Sequence, residues 1–201
     1  MSELQLFVDR DVMRVTLLGV PDHPGVAAEV FSSFNAKTVR RHFQWMRDYG
    51  LDGVFVQRFA SEVSNPSGLR QFTTVLGHCR EGANRYGRTY AVMYDLSGLG
   101  AGRMERVMAD WRLLVETMRI TADPAYLHHD GKPVVAVWGF GFSDGRRYTP
   151  AEGLELVSFL KTVPAGGCTV MLGVPTHWRT LDRDCVNDPK VHELILKADI
   201  V

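Results

Sequence analysis

Hydrophobic positions along this chain switch repeatedly between a helical and a strand-like period. "KTVRRHFQWMRDYG" sets Val39, Phe43 and Met46 on one stripe and stops at Gly50, which predicts a helix. "DGVFVQRF" follows as an apolar strand. "LRQFTTVLGHCREGANRYG" spaces Phe72, Val75, Leu76, Cys79 and Ala83 for one helical face and ends at Gly87. "RTYAVMYDLSG" is the next strand, and "RMERVMADWRLLVETMRI" predicts one long helix with Met104, Val107, Met108, Trp111, Leu114, Val115 and Met118 in period. An Asp130-Gly131 turn leads into the strand "KPVVAVWGFG". "TPAEGLELVSFLKTV" reads as a helix with Thr149 at the N-cap, Pro150 at N1 and Glu152 completing a capping box. "CTVMLGVP" is a strand, "DPKVHELILKA" a helix with Asp188 as cap and Pro189 at N1, and "ADIV" the start of one more strand.

Strand starts near Gly53, Thr89, Pro133, Thr169 and Ala198 fall about 29 to 44 residues apart, the size of a βα unit. Strict alternation predicts an α/β fold with a parallel sheet and helices outside it. A dinucleotide-binding sheet wants G-x-G-x-x-G after its first strand, and "GFGFSDG" does not supply it. A (β/α)8 TIM barrel fits better, although a full one needs roughly 250 residues. The expectation is therefore an incomplete (β/α)8 barrel with parallel strands and outer helices. It forms a single partial domain over 1–201, with 1–30 a divergent N-terminal segment and 31–201 the βα units.

Composition narrows the partners. The 201 residues are 45% hydrophobic and 23% charged, and Lys+Arg equals Asp+Glu at 23 each. Nucleic acid and anionic membranes both select a basic surface, so neither is expected as a partner. Cys79, Cys168 and Cys185 form no CxxC pair and read as reduced thiols. No apolar run approaches the ~20 residues that span a bilayer. "MSELQLFVDRDV" carries acidic residues where a signal peptide is basic. The chain as written is expected in the cytoplasm, or secreted or periplasmic if a leader precedes it.

In a barrel, chemistry collects at the C-terminal strand ends. Here those ends are Gln57-Arg58-Phe59, Tyr94-Asp95-Leu96-Ser97, Trp138-Gly139-Phe140-Gly141-Phe142 and Pro175-Thr176-His177-Trp178. Rings beside planar donors and acceptors suit a sugar, whose C–H faces stack while its hydroxyls hydrogen-bond. The stretch "YGLDGVFVQRFASE" is the clearest case: an apolar strand that finishes on an amide, a guanidinium and a ring. Two readings of Arg58 stand side by side. It lines a pocket, or it pairs with a carboxylate such as Asp95 to hold the strands together. The run Arg146-Arg147-Tyr148 reads as a solvated loop that is also able to meet an anion. "HHD" (His128 to Asp130) reads as a solvated turn, and "DRDCVND" lacks the spacing of a calcium loop.

"FSSFNAKTVRRHFQWMRDYGLDGVFVQRF", "YAVMYDLSG" and "HDGKPVVAVWGFGFSDGRRYTP" resemble the glycoside hydrolase family 71/99-like barrels, relatives of endo-α-mannosidases and endo-α-mannanases. The resemblance runs from about Phe31 to Val201 and implies a (β/α)8 barrel that hydrolyses a glycosidic bond in an oligosaccharide, without a cofactor or metal. It implies that Gln57, Arg58, Phe59, Tyr94, Trp138, His177 and Trp178 line the sugar cleft, with Asp95, the strand-end carboxylate, as the candidate catalytic residue. The family's carboxylate motif, of the type W-N-E-W-x-E-G, does not occur in this sequence. Glycosidases use a pair of carboxyl groups. The expectation is a chain truncated before that motif, inactive alone and prone to self-association through exposed sheet edges. A non-catalytic or vestigial carbohydrate-binding barrel fragment is the alternative, and an unrelated barrel enzyme acting on small metabolites is a third reading.

Overall fold

A computed structural model describes residues 6–8, 13–16, 27–162 and 167–201. Three short strands, β1 (Leu6–Val8), β2 (Met13–Thr16) and β3 (Ala27–Val30), pair antiparallel with one another. They lie in the segment expected to diverge. The frame of the rest is four strands in one parallel set: β4 (Gly53–Phe59), β5 (Thr89–Asp95), β7 (Lys132–Trp138) and β8 (Thr169–Gly173), with neighbours in that order. Val54, Ala91, Val135 and Val170 all sit in this parallel set, as their spacing predicts. Ile200 makes one parallel bridge to Met171, where the next strand was expected. β6 (His128–His129) pairs antiparallel with the start of β7. Asp130 and Gly131 turn between them with φ of 49° and 75°, so "HHD" is half of an exposed hairpin.

The helices are α1 (Ala36–Asp48), α2 (Pro66–Tyr86), α3 (Met104–Arg112), α4 (Pro150–Thr162) and α5 (Lys190–Lys197). α1 packs on α2, α3 on α4, and α4 on α5. Local chemistry explains their limits. Asn35 Oδ1 accepts from Lys37 N at 2.9 Å to start α1. Asn65 Oδ1 accepts from Gly68 N at 2.7 Å, Pro66 follows at N1, and Gly87 ends α2 in the left-handed region. The capping box of α4 closes as expected, with Thr149 N donating to Glu152 Oε2 at 2.7 Å and Glu152 N to Thr149 Oγ1 at 3.3 Å. Val163, the last residue expected in that helix, lies outside the described residues. The long helix expected through Ile120 is broken: α3 ends at Arg112, Leu113–Thr117 form a π turn, and Arg119 takes a φ of 52° before a short 3-10 turn. Leu114 and Ile120 stay fully buried through this change of winding. Among the described residues, no helix is long and apolar enough to cross a membrane.

The core lies between the outer sheet face and the helices. Val92, Tyr94, Val135, Val137, Val170 and Leu172 meet Leu76, Val107, Trp111, Leu114, Leu156 and Leu160 there, all buried. One ion pair is sealed inside it. Arg58 Nε and Nη2 donate to the two oxygens of Asp110 on α3, at 2.9 and 2.5 Å, and Tyr94 Oη donates to Asp110 Oδ2 at 2.6 Å. Arg58 is fully buried and Asp110 nearly so. Arg58 therefore does hold elements together, but through α3 rather than through Asp95. Along a strand successive side chains face opposite sides, so Arg58 faces the helices while Gln57 and Phe59 face the other way.

Removing one partner of such a pair leaves a buried charge uncompensated, at a cost of about 3–5 kcal/mol. Asp110→Ala is expected to lose stability on that scale in urea unfolding. Arg58→Met with Asp110→Leu together is expected to cost much less, because no charge is stranded. Equal losses for the two variants would contradict the sealed-pair account.

Candidate functional site

Parallel pairing sorts side chains into rows. Phe59 is level with Asp95, Asp95 with Trp138, and Trp138 with Gly173. This is the last row at the C-terminal ends of the strands. One row below stand Gln57, Met93, Ala136 and Met171. Both rows lie on the face opposite Arg58. Gln57 Nε2 reaches up to donate to Asp95 Oδ2 at 2.6 Å, and Ser97 N donates to Oδ1 at 2.8 Å. Each carboxylate oxygen thus holds one partner, which orients the group. Asp95 is the one carboxylate that these four strands place on this face.

Trp138 is clamped. Its indole lies so close to Gly173 that a Cβ there would collide with it. The Arg146 guanidinium sits 5.0 Å from the Trp138 ring centre and 4.7 Å from that of Phe142, and the two rings are 4.8 Å apart. Asp144 fixes the guanidinium from one side, accepting from Nε at 2.9 Å and Nη2 at 3.0 Å. From the other side Nη1 donates to Tyr148 Oη at 2.7 Å, and Tyr148 Oη donates to Gly139 O at 2.9 Å. Gly139 has a φ of 128°, and a Cβ there would meet both the Arg146 and Tyr148 head groups. Burial pushes Tyr148 up to about 12, so its hydroxyl keeps its proton at neutral pH. Burial alone would lower the Arg146 pKa, but Asp144 and Tyr148 outweigh it and hold it above its ordinary value.

Glu152 joins two loops. Its Oε2 closes the capping box while its Oε1 accepts from Gly102 N at 2.7 Å, tying the start of α4 to the loop after β5. Between these loops opens a cleft of about 420 Å³ that includes Ser97, Gly98, Gly100, Asp144, Arg146 and Arg147.

The residues expected at the mouth divide into three groups. Gln57, Phe59, Asp95 and Trp138 share the inner face of the sheet at its C-terminal end. Arg58 and Tyr94 do not: both are fully buried on the helix side with Asp110, so neither lines a cleft. His177 and Trp178 lie in the loop after β8. His177 Nδ1 donates to Asp184 Oδ1 at 2.7 Å, and Thr176 N and His177 N donate to the same carboxylate at 2.8 and 3.1 Å. Trp178 packs on the small apolar cluster of Cys185, Val191 and Ile195, with the Arg179 guanidinium 4.2 Å from its ring centre. Asp184 thus makes the "DRDCVND" loop a brace for His177. Among the described residues, no three His, Cys, Asp or Glu gather to hold a metal ion. The three cysteines are buried thiols, and burial pushes Cys79 and Cys168 up to about 12.

No family model and no curated protein matches the chain. Among solved structures it is similar to a family 99 endo-alpha-mannosidase of Bacteroides thetaiotaomicron in complex with bis-tris-propane. The TM-score is 0.52 at 15% identity, over 72% of this chain and 41% of that one. A second structure of a family 99 endo-alpha-mannosidase from that organism gives a TM-score of 0.47 at 17% identity, over 72% of this chain and 39% of that one. The chain spans about two-fifths of the length of those proteins. At this identity the first likeness establishes a shared fold, here an arc of a TIM barrel with its helices outside.

The Asp184 brace has a pH signature. Its desolvation raises the carboxyl pKa, but the His177 ring and the Thr176 and His177 N–H groups outweigh this and lower it from 3.8 to about 2. A depressed carboxylate stabilises the folded state above its unfolded pKa and loses that contribution as pH falls through the folded value. Thermal unfolding between pH 5 and 2 is expected to show Asp184→Asn losing its deficit relative to the parent between about pH 4 and 2. A deficit that stays constant over that window would remove the brace from the account.

Proposed function

We propose that this chain is the sugar-holding arc of a glycosidase-like barrel, which binds an oligosaccharide across the mouth row of Phe59, Asp95 and Trp138. The observation that carries the reading is the Gln57–Asp95 pair standing between two aromatic residues at the C-terminal end of a parallel sheet. Phe59 is 36% exposed, with its ring centre 6.2 Å from that of Phe72 on α2, and offers its exposed part to the C–H face of a pyranose. Asp95, held by Gln57 and Ser97, has lone pairs left to accept from sugar hydroxyls, and Gln57 has a second amide proton to give. The fold shared with an endo-alpha-mannosidase supports a mouth used in this way.

The division of labour follows from the carboxylates. Glycoside hydrolysis takes two carboxyl groups, ~5 to ~9.5 Å apart, on either side of the bond. The inner face of these strands supplies Asp95 alone, and the nearby Asp144 is engaged with Arg146. Asp95 is therefore a positioning group for sugar hydroxyls in this arc. Cleavage requires a further carboxyl group from outside these strands. This favours sugar binding without turnover by the chain as given, and full glycosidase chemistry where the barrel is completed.

Hydrolysis and binding are separable on one panel of mannose-containing and glucose-containing oligosaccharides. Weak binding without turnover is expected. Gln57→Ala and Asp95→Asn are each expected to weaken binding by about three- to tenfold, the loss of one or two hydrogen bonds. Trp138→Ala is expected to abolish it, since Arg146 loses its support along with the ring. Hydrolysis by the purified chain that disappears in Asp95→Asn would overturn this assignment and make Asp95 a catalytic residue.

A further inference from the structure

The cleft beside the mouth row has a chemistry of its own. One wall is the glycine-rich loop Ser97–Gly100 after β5, and the other is the loop Asp144–Tyr148 after β7. Glu152 ties both loops at their far ends, which keeps the walls apart and in register. Two arginines line it, and they are not equivalent. Arg146 is almost entirely covered, stacked on Trp138 and Phe142, and its charge is matched by the double contact with Asp144. Arg147 is exposed, and among the described residues it has no hydrogen bond or ion pair with the protein. The amide N–H groups of Gly98 and Gly100 also meet no protein acceptor among those residues. The cleft thus carries one uncompensated positive charge, spare donors, and no free carboxylate.

We propose that this cleft is a subsite for a sugar carboxylate, so that the glycan held at the mouth carries a uronic acid residue. The proposal rests on the glycan reading of the mouth row. Charge and shape both select the ligand. Among the residues that line the cleft Asp144 cancels Arg146, so Arg147 leaves a net charge of one there, which a carboxylate balances and a phosphate monoester exceeds. A guanidinium presents a planar fork whose donors match the two oxygens of a carboxylate. Gly98 and Gly100 line the opposite wall and carry no side chains to obstruct a sugar acid entering between the loops. Asp95 and the Trp138 clamp stand at the adjoining end of the same strands, so one pyranose at the mouth row and its acidic neighbour in the cleft occupy consecutive positions along a chain.

Calorimetric titration of the full chain with methyl glucuronide, methyl glucoside and inorganic phosphate tests this. Methyl glucuronide is expected to bind about tenfold more tightly than methyl glucoside, the scale of one charge-assisted contact. Arg147→Ala is expected to erase that preference while leaving methyl glucoside unchanged, and Arg147→Lys to restore part of it. Raised salt is expected to weaken the glucuronide alone. Equal binding of the two sugars, unaffected by Arg147→Ala, would overturn the subsite and leave the glycan reading intact. Phosphate bound through Arg147 with no affinity for either sugar would overturn the uronate assignment and the glycan reading together. Absence of all binding would overturn both as well.

Discussion

The arrangement depends on one sealed contact, the bidentate pair of Arg58 with Asp110, completed by the Tyr94 hydroxyl. A guanidinium taken wholly out of water is tolerable only with its charge matched. Asp110 does this from α3, one βα unit further along the chain, taking Nε and Nη2 while Nη1 stays buried without a partner. The contact therefore joins β4 and β5 to the helix that follows them, and it fixes the phase of β4. A slip of one residue would send Arg58 to the open face and bury Gln57 among the helices without a partner. With the phase set, Gln57 and Phe59 have to face inward, and the pairing carries that choice across to Asp95 and Trp138.

The rim is built by the same logic applied to loops. Trp138 does not stand free at the mouth. Gly173 lets its indole approach the neighbouring strand, and Arg146 lies over it, held by Asp144 and Tyr148. Glu152 does two jobs with two oxygens: it starts α4 and it anchors the loop after β5. The consequence is a mouth in which the aromatic surface, the Asp95 carboxylate and the Arg146 guanidinium keep fixed relative positions. A sugar meeting such a surface gives up its own freedom but demands little reordering of the protein.

Much of the frame was legible because it is local. Apolar periodicity, the Thr149 capping box, and the glycine and proline punctuation placed every strand of the parallel set and most helix limits. The barrel class followed from the βα spacing. What escaped were effects of distance. The π turn at Leu113–Thr117 interrupts a sequence whose period runs on unbroken. The partner of Arg58 lies 52 residues away on a helix, where an aspartate among alanine and tryptophan gives no sign of its function. Strand alternation alone separates Gln57 and Phe59 from Arg58, and it was available in "GVFVQRF". A strand end read as a unit hides it. Arg146 is the converse case: a loop arginine that looked solvated, yet lies across Trp138 because Gly139 leaves room for it. The brace from Asp184 to His177 spans 7 residues of loop that carry no periodic signal.

The central claim is that ligands meet the inner face at the C-terminal strand ends and not the buried outer face. Backbone amide chemical shifts, followed while a mannose- or uronate-containing oligosaccharide is titrated in, test it most directly. The account predicts the largest changes at Gln57, Phe59, Asp95, Ser97–Gly100 and Arg146–Tyr148, together with the Trp138 indole N–H, and little change along α3 around Asp110. Changes confined to the outer helices, or spread from α1 to α5 with the mouth row silent, would contradict it.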